Sequence, residues 1–229
     1  MGGRGAYSAS GLADSLGRDH TSKAPISIFA AASLNKGSAA GTTPETAENR
    51  FREQLLGSHV EYSAYIDKAG YVHALASTGE EGSTGVIPLS RLAHEKGITT
   101  LIHNHPHFGS RAYGGTFSKA DITMAVKNYV ATKGAVNTIK ATAKEGTYIA
   151  VVTKNIYNKG VNKNKITRAA NRAANNAWDG KTFSTKKAMW QALHTETAKE
   201  MAKLGIVITF KPAKKANKKK LVTQKIGEV

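Results

Sequence analysis

The chain has 229 residues, a length that fits one domain core with at most a small appendage. It contains no cysteine, which excludes disulfide bridges, a cysteine-ligated metal site and a thiol nucleophile. No apolar run approaches the ~20 residues that cross a bilayer, so we expect a cytoplasmic protein without a membrane partner. Any bound metal ion must therefore be held by His, Asp or Glu.

The net charge of +17 is unevenly distributed along the chain. Residues 1–153 carry a net charge of +3, whereas residues 154–229 carry +14. This C-terminal third is either a solubilising surface or a surface that contacts the phosphates of a nucleic acid. It has no recognisable sequence-reading motif, and its few aromatic residues suit packing better than stacking on bases. Both interpretations stay open.

Composition and hydrophobic periodicity divide the chain into four segments. Residues 1–43 are rich in Gly, Ala and Ser without a sustained period, which predicts a flexible arm. Residues 44–156 alternate between helix and strand patterns and predict an α/β (α+β) domain. Residues 157–210 are predicted as a basic, helical extension that ends in a strand. Residues 211–229 are predicted as a lysine-rich, solvated tail.

The domain is predicted to begin with a helix that starts at a proline and ends at Gly57. The elements predicted after it are strands 60–66 and 71–77, helix 89–96, strand 98–102, a helix from Asp121 to about Gly134, strands 137–143 and 147–153, helix 184–204 and strand 206–210. The turn between the first two strands ends in Gly70, the residue that supplies the positive φ of hairpin turns. These two strands are therefore expected to form a hairpin.

Two short motifs in the middle of the chain carry candidate metal ligands. His103 and His105 end an apolar strand, and in extended backbone side chains two residues apart share a face and can approach one ion. Ser118 and Asp121 precede the next helix with the spacing of a capping box. Each motif alone is also explained without a ligand, and the remaining histidines are predicted as surface or packing residues. The combined order is more specific: a strand, His-x-His-Pro, a Gly-rich loop, and Ser-x-x-Asp at a helix start.

This order resembles the motif of the JAMM (MPN-plus) zinc metallopeptidases, in which a remote Glu is followed by His-x-His-Pro and Ser-x-x-Asp. The residues His103-Asn104-His105-Pro106 and Ser118-Lys119-Ala120-Asp121-Ile122 are most similar to the bacterial RadC-like branch. The resemblance covers about residues 50–155. It implies a JAMM/MPN-like (cytidine-deaminase-like) mixed sheet flanked by helices, in the cytoplasm of a bacterium or phage host.

The resemblance also implies a role for each site residue. His103, His105 and Asp121 would bind Zn²⁺, with water completing a tetrahedral site. The Ser118 hydroxyl would stabilise the oxyanion of the substrate, and it can cap the helix as well. The general base would be a glutamate on an early strand, and Glu61 at the start of the first hairpin strand is our prediction. The alternative for Glu61 is a surface glutamate at a strand edge.

Two features depart from the family pattern. Ala64 stands where the family has a glycine, and eleven residues separate Pro106 from Ser118, more than the usual spacer. The extra residues, 107–115, are rich in Gly and aromatic residues and suit a loop over the cleft. Such a loop either selects the substrate or marks a loss of peptidase activity. His107 within it is an alternative ligand, which Pro106 directs away from the site.

Two functions are therefore predicted. The first is a zinc-dependent hydrolase that cleaves a peptide or isopeptide bond of a protein substrate with metal-activated water. The second is a non-catalytic nucleic-acid-binding or phage assembly protein that retains a JAMM-like fold, and the opening MGGRGAYSASG resembles the starts of some phage-encoded proteins. The complete ligand set favours the hydrolase. The letters HNH do not indicate an HNH nuclease, because those enzymes distribute these residues over a ββα unit. Neither the substrate nor the oligomeric state follows from the sequence.

Overall fold

The computed structural model describes residues 43–55, 61–76, 97–105 and 115–213. Several predicted features fall outside these residues. They are the arm at 1–42, the helix at 89–96, the spacer at 106–114 with its alternative ligand His107, and the tail beyond residue 213.

The described residues form one six-stranded sheet and five helices. In chain order the elements are α1 (Pro44–Leu55), β1 (Ser63–Asp67), β2 (Val72–Ala76), β3 (Ile98–Asn104), α2 (Lys119–Ala131), β4 (Thr138–Ala143), β5 (Gly146–Val152), α3 (Asn155–Asn158), α4 (Lys163–Trp178), α5 (Lys186–Ala202) and β6 (Ile206–Pro212). The strand order is β2-β1-β3-β4-β5-β6, in which β3 and β4 are parallel and the other pairs are antiparallel. The predicted mixed sheet flanked by helices is therefore confirmed.

The first predicted strands are observed with shifted ends. β1 and β2 form the predicted hairpin, and Gly70 in its turn has φ +83°. β1 begins at Ser63, so Glu61 precedes the strand instead of beginning it. The reason is visible at Tyr62, whose N–H donates to the side-chain Oδ1 of Asn104 at 2.6 Å rather than to a backbone carbonyl. A second hydrogen bond, from the backbone N–H of Asn104 to the carbonyl oxygen of Tyr62 at 3.2 Å, still connects the two segments.

Two hydrophobic clusters lie on opposite faces of the sheet. Leu101 belongs to the larger cluster, which includes residues of α2, α4 and α5, whereas its neighbour Ile102 packs with Phe51 of α1 in the smaller one. Successive strand residues point to opposite faces. His103 and His105 therefore lie on the face that carries the larger cluster and α2.

The segment predicted as a basic extension belongs to the same core. β6 pairs with β5 along its whole length, and Ile166 of α4 and Met201 of α5 are buried in the larger cluster. The predicted boundary between 44–156 and 157–210 therefore does not separate two cores. Lys211, predicted as the first residue of the tail, lies in β6. Within the described ranges, no helix combines the length and apolarity that crossing a bilayer requires.

Glu200 connects α4 to α5 from within the core. Its side chain is 1% exposed and accepts hydrogen bonds from Arg172 Nε at 2.8 Å and from Lys203 Nζ. The hydrogen bond from Lys203, reinforced by Arg172 and by both positive charges, lowers the pKa of the Glu200 carboxyl although burial acts in the opposite direction. The folded protein therefore favours the ionised form.

Replacement of Glu200 tests this contribution to stability. Because the folded-state pKa lies below the unfolded-state value of about 4.3, the carboxylate stabilises the fold above that pH and stops doing so as the pH falls through the folded-state pKa. Glu200→Gln should lower the free energy of unfolding by about 1–3 kcal/mol at neutral pH. Chemical denaturation should show a smaller difference from wild type near about pH 3.

The matched control is Glu196→Gln on the same helix, where the carboxylate is more exposed and lies 3.7 Å from Lys199. Its effect should stay below about 1 kcal/mol at either pH. A loss in Glu200→Gln that does not change with pH would contradict the role of the ionised carboxylate.

Candidate metal centre

The predicted ligands meet at one edge of the sheet. His103 lies in β3, His105 directly follows that strand, and Asp121 is in the first turn of α2. Both imidazoles are buried, with 3% and 5% of their surface exposed, whereas the Asp121 side chain is 18% exposed. The end of a strand and the start of the following helix thus bring the two motifs together.

The candidate ligand atoms face one another at short distances. His103 Nε2 lies 3.1 Å from His105 Nε2 and 3.4 Å from Asp121 Oδ1, and the three ligand atoms all lie within 4.8 Å of one another. Two ligands of a tetrahedral ion at ~2.0–2.1 Å are about 3.3 Å apart. The first two spacings are therefore those of neighbouring ligands, although 3.1 Å also suits an N–H···N bond between the rings. This group could hold a metal ion, and it is the one such group among the described residues.

A hydrogen bond sets the orientation of His105. Its Nδ1 lies 3.2 Å from the carbonyl oxygen of Gly115. Because a carbonyl can only accept, the ring proton is on Nδ1, and Nε2 presents its lone pair to His103 and the centre. Gly115 adopts φ +79°, and a Cβ at this position would lie 3.4 Å from the ring of Trp190. The backbone that orients His105 thus lies next to α5, and its positive φ favours glycine at this position.

Glu145 holds the backbone of Gly115 at its N–H. The N–H of Gly115 donates to Glu145 Oε1 at 3.1 Å, and the Tyr148 hydroxyl donates to the same oxygen at 2.9 Å. The N–H and the carbonyl of Gly115 belong to two successive peptide groups, so Glu145 acts on His105 through the backbone of one residue, an arrangement typical of groups that orient metal ligands. Sequence reasoning assigned Glu145 only to the turn before β5. No local spacing could reveal its role, because thirty positions separate it from Gly115.

The two carboxylate oxygens of Asp121 have different roles. Oδ2 accepts the backbone N–H of Ser118 at 2.7 Å, whereas Oδ1 faces His103. Ser118 Oγ in turn accepts the backbone N–H of Asp121 at 3.2 Å, which completes the predicted capping box. This bond uses a lone pair of the hydroxyl and leaves its hydrogen able to donate elsewhere. Asp121 can therefore cap α2 and still bind a metal ion, and Ser118 can cap α2 and still donate its hydroxyl hydrogen to a substrate.

Asn104 anchors the strand end from the opposite face. Its fully buried side chain donates from Nδ2 to the carbonyl of Leu55 at 3.3 Å and accepts the N–H of Tyr62 through Oδ1. The backbone N–H of His105 donates to the carbonyl of Thr142 on β4 at 2.7 Å. The residue between the two histidines therefore connects β3 to α1 and β1, a role that the motif alone did not indicate.

Glu61 remains a prediction, and the strand register bears on it. Ser63 of β1 is directly opposite His103 of β3. The hydrogen bond from Asn104 N to Tyr62 O continues this pairing for one more residue, and a further residue in the same register would place Glu61 opposite His105. Residues opposite each other in antiparallel strands share a face. Continued extended backbone would direct Glu61 to the face that carries the metal centre.

His194 of α5 lies beside the residues that follow the spacer. Its Nδ1 is 3.2 Å from the Thr116 hydroxyl, and its ring centroid lies 5.2 Å from that of Tyr148 and 5.9 Å from that of Phe210. Burial lowers the pKa of His194, which favours the neutral imidazole. Its role is packing, as predicted, within an aromatic cluster that borders the metal centre.

Comparison of the chain with protein-family models, with curated proteins and with solved structures found no match. The function is therefore argued from the motif and from the geometry of the centre.

The role of Glu145 can be tested by metal affinity. Glu145→Ala should weaken binding of a divalent ion by about 10–100-fold, because the Gly115 N–H loses its acceptor and the backbone that presents the Gly115 carbonyl to His105 is held less firmly. Titration with Zn²⁺ or Co²⁺ followed by calorimetry measures the affinity. Tyr148→Phe removes the other hydrogen bond to the same carboxylate oxygen and keeps the one from Gly115, so its affinity should change much less. Unchanged affinity in a folded Glu145→Ala protein would refute the role.

Proposed function

We propose that this protein is a zinc-dependent hydrolase of the JAMM type that cleaves a peptide or isopeptide bond by attack of water. The observation that carries the proposal is the convergence of His103, His105 and Asp121 through one oxygen and two ring nitrogens. The position of the centre, between the end of a strand and the start of the next helix, agrees with the order of the motif.

The donor set supports zinc as the ion and catalysis as its role. Imidazole nitrogens and a carboxylate oxygen are common zinc ligands, and the absence of cysteine excludes a thiolate site. Structural zinc sites have four protein ligands, whereas catalytic sites have three and leave a position for water or substrate. Among the described residues, the candidate ligands are three, two buried histidines and the partly exposed Asp121, and this number matches the catalytic pattern.

His103, His105 and Asp121 would hold the zinc ion, which would supply a bound water with its pKa lowered to about 7 and a Lewis acid for the carbonyl of the scissile bond. Glu61 accepts a proton from the attacking water and returns it to the leaving nitrogen. The register of β1 and β3, which pairs Ser63 with His103 and would place Glu61 opposite His105 if it continued, supports this role. Ser118 donates its hydroxyl hydrogen to the carbonyl oxygen as negative charge develops there, while its lone pair continues to cap α2.

The ligands and the base can be separated by experiment. The wild type should contain about one zinc ion per chain and cleave substrates from a library of peptides and isopeptide-linked lysines. His103→Ala should lose both properties, because the site retains too few ligands. Glu61→Gln should keep the zinc and cleave about 10²–10⁴-fold more slowly, because an amide cannot accept the proton.

Elemental analysis and cleavage assays distinguish the outcomes. A wild type that binds no zinc after reconstitution would refute the metal centre. Stoichiometric zinc without cleavage of either substrate class would refute the hydrolase and favour a non-catalytic protein. Full activity in Glu61→Gln would leave the hydrolase intact and exclude Glu61 as its base.

A second pair of variants separates capping from catalysis at Ser118. Ser118→Ala should lower the free energy of unfolding by about 1 kcal/mol and reduce kcat by about 10²–10³-fold, because it removes both the cap and the oxyanion donor. Thr185 caps α5 in the same way, with Oγ1 accepting the N–H of Ala188 at 3.1 Å. Thr185→Ala should lose similar stability and keep its kcat. Thermal denaturation measures the loss of stability, and kinetic assays measure kcat. Equal kcat values in the two variants would restrict Ser118 to capping.

A further inference from the structure

A groove lined by cations lies far from the metal centre. Four basic side chains, Lys159, Lys165, Arg168 and Arg172, line it together with Leu204, and its volume is about 350 Å³. It lies beside the junctions from β5 to α3 and from α5 to β6, at the edge of the sheet where β5 ends. The metal centre lies at the other edge, where β3 and β4 end and β5 begins. The groove is therefore a separate feature.

The charges in the groove are only partly compensated. Glu200 is the carboxylate that pairs with Arg172, and it is shared with Lys203. No acidic residue occurs from residue 154 to residue 178, a stretch that includes all of α4. A concave surface with this surplus of cations favours an anionic ligand.

The exposed face of α4 extends the groove into a strip. Lys165, Arg168 and Arg172 recur at spacings of three and four residues, so they lie on one side of the helix and span about 10 Å of its axis. Four asparagines of α4, whose amides can donate to phosphate oxygens, are also exposed: Asn164, Asn171, Asn175 and Asn176. The buried face of α4 carries apolar and mostly small side chains: Ile166, Ala169, Ala173 and Ala177. The polar strip is thus directed away from the core.

We infer that this groove and strip bind the phosphodiester backbone of a nucleic acid without reading its sequence. A strip of about 10 Å is longer than a single phosphate group needs. It can contact several successive phosphates of a nucleic-acid strand, in which they recur every ~3.4 Å along the helix axis. Cations and amides provide backbone contacts, and base readout would need side chains that enter a groove or stack on bases. The tryptophans at the end of α4 and in α5, Trp178 and Trp190, pack edge to face on each other with centroids 6.5 Å apart.

The inference is tested with the full-length chain and fluorescent oligonucleotides of mixed sequence, single-stranded and duplex. Lys159→Glu/Arg168→Glu reverses two exposed charges in the groove, and Lys186→Glu/Lys187→Glu reverses two exposed charges at the start of α5. Both double variants change the net charge equally and retain every lysine beyond residue 213. They are therefore matched for total charge and differ in its location.

Anisotropy titrations at several salt concentrations should show that the groove variant binds at least about 10-fold more weakly than the matched variant. The slope of log affinity against log salt should fall by about 1–2 in the groove variant, because about one phosphate contact is lost for each cation. Zinc content and cleavage should not change in either variant, so failure here is distinguishable from failure of the hydrolase.

Equal weakening in the two variants would overturn the inference and indicate diffuse charge attraction. Binding of inorganic phosphate with the same groove dependence, but no oligonucleotide binding, would also overturn it and indicate a small anionic ligand. A preference for single-stranded or duplex oligonucleotide would define the kind of nucleic acid.

Discussion

The side chain of Asn104 holds the end of β3, and the arrangement of the metal centre depends on that strand end. The pleat directs His103 and His105 to one face and Asn104 to the other. On its own face, Asn104 bonds to backbone groups of α1 and of the residue before β1. These contacts fix the backbone that carries both imidazoles, so the face that the pleat gives to the two histidines is held in place by the asparagine between them.

The remaining bonds of the ligands reduce their freedom before any ion binds. His105 is oriented by the Gly115 carbonyl, and the N–H of the same residue is held by Glu145. One oxygen of Asp121 belongs to the capping box of α2, which leaves the other directed at His103. A ligand whose second polar atom is already bonded loses little rotational freedom when it coordinates a metal.

The C-terminal half of the chain supports the centre as well as carrying charge. α5 brings Trp190 against Gly115 and His194 against Thr116, in the residues that precede Ser118. β6 covers the edge of β5 and completes the sheet. The basic residues lie mainly on the outer surfaces of elements whose inner surfaces build the core. Charge and packing therefore occupy opposite faces of the same helices, which allows one segment to contribute to both.

Local patterns in the sequence determined most of the elements, though not α3 and α4 individually, and they determined the candidate ligand set. Hydrophobic periodicity, capping residues and turn glycines act over a few residues, so the hairpin, α2, β5 and α5 were predicted close to their observed bounds, and the ligands followed from two contiguous motifs. Tertiary structure decided what depends on distant pairs. These are the start of β1, the larger hydrophobic cluster that includes residues on both sides of residue 156, and the roles of Asn104 and Glu145. Such contacts join positions tens of residues apart, and no local spacing records them.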